Sequence, residues 1–576
     1  MNQKAFPQFD RKFFEGRERF SCIGSGSIGG KALGLALVHD VITQSDRKHG
    51  ALEVSIPTLA VLGTDAFDMF FEVNEGLEEI AYSGQSDERI AHAFQRAQLP
   101  PALVGDLRAL ISRVHTPLAI RSSSMLEDAM FRPFAGVYAT KMIPNNQPDA
   151  DSRFRKLVEA VKYVYASTFF KDARAYLRTV TDDPKAEKMA VIIQEVVGVR
   201  HGERFYPHIS GVARSYNFYP ASHAKPEEGV VDLAVGLGKT IVDGGQSYTY
   251  SPAWPRNPPP YNNIGDLLKT SQTTFWAVNM GKPPAHDPIK ETEYMVQGDL
   301  TQAEEDNVLA WVASTYDPSA DRIVAGTYEK GPRLINFAPI LGDDVVPLND
   351  ALLWMLETCE KTLGAKVEIE FAVTLDPDKG VPARLGFLQV RPMVVSTEEV
   401  DLTDEEMSST DALLAAEHVM GNGTVEDLVD IVYVKPESFE AKISAIVAEE
   451  VAAMNQKLTD EKRPYLLIGF GRWGSSDPWL GIQVNWGQIA GARVIVEATL
   501  PSMTPDFSQG SHFFHNLSSF RVLYFSVSHT SDTGIRWDWL AQQQVVSESE
   551  HVRHVRLPRP MRVKVDGRKS RGVVLR

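Results

Sequence analysis

The spacing of apolar residues alternates between helical and strand-like periods, which predicts an α/β (α+β) fold. Between Phe154 and Arg178, apolar residues at 154, 157, 158, 161, 164 and 165 predict a helix with one stripe facing a core. The runs "TPLAIRSSS" and "KMAVIIQEVVG" predict short buried strands. The run "VVDLAVGLGKTIVDGG" predicts a strand, a turn and a second strand.

The run "AKVEIEFAVTLDPDKGVPARLGFLQVRPMVV" predicts a β-hairpin, with two β-rich segments joined by "DPDKG". Glu368 and Glu370 alternate with apolar residues and therefore share one face of the first strand. Gln389 and Arg391 share one face of the return strand. Two carboxylates, an amide oxygen and a guanidinium on adjacent strands suit a magnesium–phosphate site. The alternative is Glu–Arg cross-strand pairing on a solvated face.

The rest of the chain predicts several further regions. At roughly 150 residues per domain, 576 residues indicate three or four domains. We expect an N-terminal lobe at 1–118 and the remainder of the same domain at 119–395. The acidic run "STEEVDLTDEEMSSTD" predicts a linker or a solvated helix start, and we place a linker over 396–436. A smaller α/β domain follows at 437–550, with a helix near 437–457 and strands at "YLLIGFG", "ARVIVEA" and "RVLYFSV".

Composition and charge narrow the classes of partner. The chain has no apolar run of the roughly 18 residues that span a bilayer and only two cysteines, so we expect a cytoplasmic protein without a membrane partner. A net charge of -16 disfavours general nucleic-acid binding. The tail 551–576 has nine Lys and Arg residues against one acidic residue, Asp566. It either contacts RNA or an acidic partner or, as we favour, is a solvated or partly docked terminus.

The stretch "IGSGSIGGKALGLALV" at 23–38 presents Lys31 after a glycine-rich turn. Its Gly24-x-Gly26-x-x-Gly29 spacing fits a dinucleotide fingerprint, but the preceding "RERFSC" is short and charged. The P-loop pattern fails as well, because Ala32 replaces the hydroxyl that would bind magnesium. Two interpretations are left: a phosphate-binding turn with Lys31, or a helix-entry turn with a surface lysine.

A second group of residues lies in "LAIRSSSMLEDAMFRPFAGVYAT". Arg121 ends a predicted strand and leads into a Ser-rich loop, which suits a bidentate phosphate clamp. Gly136 permits a ligand to approach the backbone closely. The alternative is a surface turn with a structural Arg–Glu pair.

The glycine-rich turn, the segment "AIRSSSMLEDAMFRPFAG" and the hairpin, in this order along the chain, resemble the nucleotide-binding domain of phosphoenolpyruvate synthases and pyruvate, phosphate dikinases. That domain is a two-lobed ATP-grasp domain, found also in rifampicin phosphotransferases. The resemblance covers about residues 20 to 395 and includes "VGLGKTIVDGG", which is similar to the family's G-L-G-E-x-V-x-G-G turn. It implies an ATP-grasp fold followed by the smaller C-terminal domain.

The resemblance implies a role for each matching residue. Lys31, Arg121 and Arg391 would contact and neutralise the ATP phosphates. Gly136 and Thr140 match the backbone-contact glycine and the hydroxyl after F-A-G, and Gln194 matches the residue near the adenine. The implied magnesium ligands are Glu370 and Gln389, with Glu368 where the family often has Asp.

The implied activity is that of an ATP-dependent kinase or phosphotransferase that uses Mg²⁺ and passes phosphate or pyrophosphate to a histidine. The family's T-S-H-A acceptor segment does not occur, and fewer than 200 residues follow Pro392, whereas a pyruvate-binding (β/α)₈ barrel alone takes about 250. We therefore do not expect this chain alone to synthesise phosphoenolpyruvate. The acceptor is either His512 or a separate domain or protein. The alternative function is that of a nucleotide-binding regulatory protein without an acceptor.

Overall fold

The computed structural model describes residues 7–10, 20–43, 49–125, 127, 136–180, 187–218, 220, 224–258, 264–343, 346–376, 381–395, 400–503, 513, 516–517, 520–531 and 534–576. The chain divides into two units. The first contains Met1–Ser215, Val230–Ile241 and Gln246–Pro392, and the second contains Tyr216–Gly229, Val242–Gly245 and Met393–Arg576.

Two sheets of the first unit carry the candidate residues. The five-stranded sheet has the order β1 (Phe20–Ile23), β3 (Leu59–Leu62), β6 (Met189–Glu195), β4 (Leu118–Ser124) and β5 (Thr140–Ile143). The six-stranded sheet has the order β11 (Tyr248–Tyr250), β10 (Val230–Ala234), β9 (Ile209–Arg214), β17 (Val367–Asp376), β18 (Val381–Pro392) and β2 (Leu52–Ser55).

Two smaller sheets complete the strands of this unit. One has the order β13 (Met295–Asp299), β12 (Thr274–Asn279), β8 (Arg204–Tyr206) and β7 (Val199–His201), and the other the order β15 (Arg322–Ala325), β14 (Ala313–Asp317) and β16 (Arg333–Ile335).

The α-helices up to residue 363 flank these sheets. They are α1 (Gly29–Thr43), α2 (Thr64–Glu72), α3 (Leu77–Tyr82), α4 (Asp87–Arg96), α5 (Pro101–Arg113), α6 (Ala150–Ser167), α7 (Lys171–Val180), α8 (Lys239–Val242), α9 (Ile264–Thr270), α10 (Leu300–Glu305), α11 (Leu309–Val312), α12 (Ala338–Asp343) and α13 (Leu348–Leu363).

Helix α1 fixes the glycine-rich turn against both large sheets. Its buried residues Ala32, Leu35, Val38 and Ile42 recur at helical spacing and pack into the core that the strands of the six-stranded sheet share. The helix contacts β4 of one sheet and β18 of the other. The turn after β1 is therefore placed where the two sheets come together.

Three sequence-based predictions for this unit were wrong. The helix predicted over 154–178 is two helices, because the chain turns at Thr168 and the Asp87 carboxylate accepts the Lys171 N–H that begins α7. The strand predicted after "VVDLAVGLG" is α8, since β9 and β11 already flank β10 on both sides. The segment "RERFSC", considered too short and charged, ends in strand β1.

The second unit is built on a nine-stranded sheet. Its order is β19 (Ala412–Ala416), β29 (Arg571–Leu575), β28 (Val552–Asp566), β21 (Gly423–Val434), β22 (Tyr465–Phe470), β25 (Ala492–Ala498), β26 (Leu523–Val527) and β20 (Val419–Met420), with β27 (Gln544–Glu548) paired to β28. A two-stranded sheet joins β23 (Arg472–Trp473) to β24 (Gly481–Ile482). The α-helices are α14 (Asp404–Met407), α15 (Ser444–Asp460) and α16 (Trp537–Ala541).

Short 3₁₀ helices lie at Pro226–Glu228, Ala441–Ile443 and Trp486–Gln488. The predicted strands at "YLLIGFG", "ARVIVEA" and "RVLYFSV" are confirmed as β22, β25 and β26, and the predicted helix is α15.

The predicted linker was wrong for residues 412–434, which form β19, β20 and β21. The acidic run does begin a short helix, α14, and the basic tail is docked as β28 and β29. Opposite charges join the two segments: Lys564 lies 2.6 Å from Glu406, and Arg571 lies 2.5 Å from Asp404. The acidic and basic runs therefore neutralise each other within one unit. Within the described ranges, the structure contains no helix with the length and apolar character needed to span a bilayer.

Candidate functional site

Arg121 is the fourth residue of β4, and its guanidinium reaches from the five-stranded to the six-stranded sheet. Its Nη1 donates to the Leu388 carbonyl at 2.9 Å and to Gln194 Oε1 at 3.2 Å. Its Nη2 donates to Gln389 Oε1 at 2.5 Å and to Glu370 Oε2 at 3.4 Å. One side chain thereby contacts three strands, β6, β17 and β18.

The predicted hairpin is confirmed as β17 and β18, which pair antiparallel. Glu370 lies opposite Gln389, and Glu368 lies opposite Arg391. Because side chains alternate across a strand, all four residues are on the same face of the sheet. The sequence pattern had predicted this shared face from the period of two.

Charges of opposite sign alternate through the cluster. Arg391 Nε donates to Glu368 Oε1 at 2.5 Å, and Arg391 Nη2 lies 3.2 Å from Glu370 Oε1. Glu368 Oε2 accepts from Arg214 Nε at 2.5 Å. Arg214 Nη1 lies 3.6 Å from an Asp232 carboxylate oxygen. In order, the cluster comprises Asp232, Arg214, Glu368, Arg391, Glu370 and Arg121.

Sequence reasoning missed Arg214 and Asp232. Arg214 is on β9, opposite Glu368 of β17, and Asp232 is on the next strand, β10. Each is a charged residue within an otherwise apolar run, "ISGVARSY" or "VVDLAV". Such a residue needs a charged or hydrogen-bonding partner when the strand is buried. That signal could have indicated both residues, although not which partners they have.

The burial of these charges favours a functional over a stabilising role. The side chains of Arg214, Glu368 and Arg391 are at most 1% exposed. Removing an ion from water costs several kcal/mol, so a buried ion pair adds little net stability even when its geometry is good. Fixed charges in a buried setting interact strongly with a charged ligand, because they need no reorganisation when it binds.

Lys31 belongs to a neighbouring set of contacts. Its buried Nζ lies 2.8 Å from Glu127 Oε1 and 3.1 Å from Ser122 Oγ. Ser122 follows Arg121 on β4, so the two side chains leave the strand on opposite faces. Lys31 thus contacts the residue that follows Arg121. It is paired with Glu127, and no described contact joins it to the arginine–carboxylate cluster.

The glycines before Lys31 have a packing role. A Cβ atom on Gly29 would lie 1.6 Å from the Ser123 carbonyl oxygen, and one on Gly30 would lie 1.6 Å from the Glu127 carbonyl oxygen. Gly29 also has a φ of 74°, in the left-handed region. These two glycines let α1 begin directly against the end of β4.

The remaining candidates lie around β5 and β6. Gly136 has a φ of 73°, and Thr140 lies opposite Arg121 on β5. The Thr140 N–H donates to Glu291 Oε1 at 3.2 Å. Gln194 is 2% exposed and accepts from Arg121, while its Nε2 has no hydrogen-bond partner among the described residues. Gln194 is thus a buried donor at the edge of the cluster; its contact with adenine stays a prediction.

The donor set fits magnesium in part. Mg²⁺ prefers oxygen ligands and is usually held by one or two carboxylates together with substrate phosphates. Glu370 and Gln389 offer a carboxylate and an amide oxygen side by side, and the Glu370 side chain is 15% exposed. Glu368 is fully buried, with one oxygen on Arg214 and the other on Arg391. Glu368 therefore fits better as the anchor of Arg391 than as a ligand.

Other metal and nucleophile candidates are few. Over the part of the chain that the structure describes, no group of three or more His, Cys, Asp or Glu side chains is placed to hold a metal. Burial and the charge of Asp65 raise the pKa of Cys22 to about 11, and burial raises the pKa of Cys359 to about 12. Both thiols are therefore protonated near neutral pH. His512 lies outside the described residues.

Comparisons with known proteins give a family match and a relative. A family model described as "Pyruvate phosphate dikinase, AMP/ATP-binding domain" matches residues 25–412, which is more than half of the chain. A phosphoenolpyruvate synthase from Aeropyrum pernix is 29% identical over 237 residues. That match covers 38% of this chain and 25% of the relative, so the chain spans only part of the relative's length.

Proposed function

Because the chain belongs to the family of the pyruvate phosphate dikinase AMP/ATP-binding domain, we propose that it is an ATP-dependent phosphotransferase. It transfers phosphate or pyrophosphate from ATP to a histidine, on this chain or on a separate domain or protein. ATP as the substrate agrees with the cytoplasmic location expected from the sequence.

One observation supports the proposal above the others. Residues from separate strands, Arg121 of β4, Glu370 of β17, and Gln389 and Arg391 of β18, form one bonded cluster. Two guanidinium groups can bind phosphate oxygens in bidentate fashion, and a carboxylate beside an amide oxygen can hold the accompanying metal. A nucleoside triphosphate binds together with a metal ion, so its site needs groups for the phosphates and groups for the metal.

The chemistry depends on positioning and charge neutralisation. Arg121 and Arg391 would neutralise the phosphate oxygens as negative charge shifts to the leaving group, and Lys31 would add a third positive charge on leaving Glu127. Magnesium, held by Glu370 and Gln389, would supply further neutralisation of the phosphate charge. Glu368 keeps the Arg391 guanidinium in a fixed orientation through its short hydrogen bond.

Transfer itself forms a bond from an imidazole nitrogen to phosphorus and breaks the bond from that phosphorus to a bridging oxygen. Attack on the γ-phosphorus leaves ADP and a phosphohistidine. Attack on the β-phosphorus leaves AMP and a pyrophosphohistidine. The nucleotide product therefore identifies which of the two groups is transferred.

The test is product analysis after incubation with Mg²⁺ and ATP. We expect AMP or ADP together with an acid-labile phosphoprotein. Glu370→Ala should reduce turnover at least about 100-fold, whereas Glu357→Ala, at an exposed ion pair of α13, should not change it. Retained turnover in Glu370→Ala would place the metal site elsewhere.

Two further results decide the acceptor and the alternative function. In His512→Ala, loss of the phosphoprotein would assign the acceptor to this chain, and unchanged phosphoprotein formation would exclude His512. If ATP binds but is recovered unchanged, with and without candidate partner proteins, the chain is a nucleotide-binding regulatory protein instead.

A further inference from the structure

We infer that Arg121 makes the candidate site selective for a metal–nucleotide complex and excludes the free divalent cation. The inference rests on the proposed function, because it concerns the same site. It assigns to Arg121 a second role besides contact with phosphate.

The inference depends on the position of one nitrogen atom, Arg121 Nη2. Arg121 Nη2 lies 2.5 Å from Gln389 Oε1 and 3.4 Å from Glu370 Oε2. These two oxygens are the ones that fit a magnesium ion. A guanidinium nitrogen so close to both oxygens repels a divalent cation, which needs its ligands at about 2.0–2.1 Å. Arg121 therefore opposes metal binding at these oxygens unless it moves away.

The charges of the cluster oppose a metal that arrives alone. Among the contacts described above, three guanidinium groups are matched by three carboxylates in an alternating series. A divalent cation would add two positive charges to this balanced set and would take Arg121's carboxylate partner from it. Low local dielectric strengthens that repulsion, because the side chain of Arg121 is only 12% exposed.

A nucleotide removes both obstacles. Its phosphates are anionic and bring negative charge, and they offer Arg121 a bidentate partner in place of Glu370 and Gln389. The second terminal nitrogen of the guanidinium, Nη1, donates to two neutral acceptors, the Leu388 carbonyl and Gln194 Oε1. Those bonds are weaker than bonds to a charged acceptor, so they favour the release of Arg121 to a phosphate. Metal and nucleotide binding are then coupled through Arg121 and strengthen each other.

The test is Mn²⁺ binding without nucleotide, read from the electron paramagnetic resonance signal of the free ion. We expect Arg121→Met to bind Mn²⁺ at least about tenfold more tightly than the wild type. Arg121→Lys, which keeps the positive charge, should bind it as weakly as the wild type. The double variant Arg121→Met, Glu370→Gln should lose the gain, which locates the ion at Glu370. If Arg121→Met does not fold, Arg121→Gln takes its place.

Tight Mn²⁺ binding by the wild type without nucleotide, or equal affinity in Arg121→Met and the wild type, would overturn the inference. A separate arm reports on the proposed function: equilibrium dialysis of the wild type with labelled ATP and Mg²⁺. Failure of ATP to bind there contradicts the proposed function, whereas the metal-only arm addresses Arg121. The two failures are therefore distinguishable.

Discussion

At the scale of single residues, Arg214 shows how a group away from the predicted motifs can support the site. It contacts Glu368, which in turn holds Arg391. With Arg214 removed, the Glu368 carboxylate would keep only one of its two guanidinium partners in a fully buried place. The residue therefore acts on the candidate site through its neighbours.

We expect Arg214→Met to lower the free energy of unfolding by about 3–5 kcal/mol, the usual cost of breaking a buried ion pair from one side. The matched control is Arg384→Met on β18, whose pair with Glu53 is 56% and 57% exposed. It should change stability by no more than about 0.5 kcal/mol. Urea denaturation of both variants measures the difference, and equal effects would contradict a buried ionic cluster.

What the sequence could predict at this scale depends on distance along the chain. The shared face of Glu368, Glu370, Gln389 and Arg391 follows from the period of two in two adjacent strands, which is local information. The bond between Arg214 and Glu368 joins residues 154 positions apart. No local pattern specifies such a partner. For the same reason the Lys31–Glu127 pair was not foreseen.

At the scale of elements, the start of α1 depends on close packing against β4. Gly29→Ala should destabilise the protein by more than about 1 kcal/mol, because the residue has a positive φ and its Cβ would meet the Ser123 carbonyl. Gly105→Ala in α5 is the control: nothing lies within 4 Å of its Cβ, and it should stabilise by about 0.5–1 kcal/mol. Thermal melts compare the two. A neutral effect of Gly29→Ala would show that the turn does not pack as described.

A second ionic group surrounds the buried Asp430 of β21, which contacts His554 and Arg556 of β28 and Arg463 before β22. Burial alone would raise the pKa of Asp430, but bonds from Arg556, His554 and Arg463 outweigh it and hold the pKa below its usual value. Burial lowers the pKa of His554 despite Asp430. In both cases the unfolded chain binds more protons over part of the acid range, so stability falls with falling pH.

We therefore expect the wild-type melting temperature to fall as the pH drops below about 6.5, where His554 would protonate in the unfolded chain. It should fall again below about 4, where Asp430 would protonate in the unfolded chain. Asp430→Asn should melt lower at pH 7 and show a smaller second decrease, because other carboxylates titrate in the same range. Calorimetry between pH 7 and pH 3 measures both. An unchanged acid slope in Asp430→Asn would contradict the role given to this residue.

Runs of charged residues also show which elements could and could not be predicted from the sequence. The hairpin and the parallel strands of the second unit were predicted from apolar patterning. The acidic segment 396–411 and the basic segment 551–576 were interpreted separately, the first as a linker or solvated helix start and the second as a solvated or partly docked terminus. They pair with each other through contacts such as Lys564–Glu406, which join residues 158 positions apart. Each run by itself resembles a solvated segment; paired, they belong to one folded unit.

At the scale of the whole molecule, every described candidate residue for nucleotide binding lies in the first unit. The family match extends over residues 25–412 and so includes the first part of the second unit. The curated relative aligns over only 25% of its own length, and phosphoenolpyruvate synthesis is therefore not assigned to this chain. We propose that the phosphate-donor site is built on the two large sheets of the first unit, and the phosphoprotein test identifies the acceptor.

The most direct test is a crystal structure of the protein with Mg²⁺ and a non-hydrolysable ATP analogue. We predict that phosphate oxygens contact Arg121 and Arg391 and that the metal lies on Glu370 and Gln389. Arg121 should no longer contact Glu370 or Gln389. A nucleotide bound away from the β17–β18 hairpin, or one bound while Arg121 still contacts Glu370 and Gln389, would contradict it.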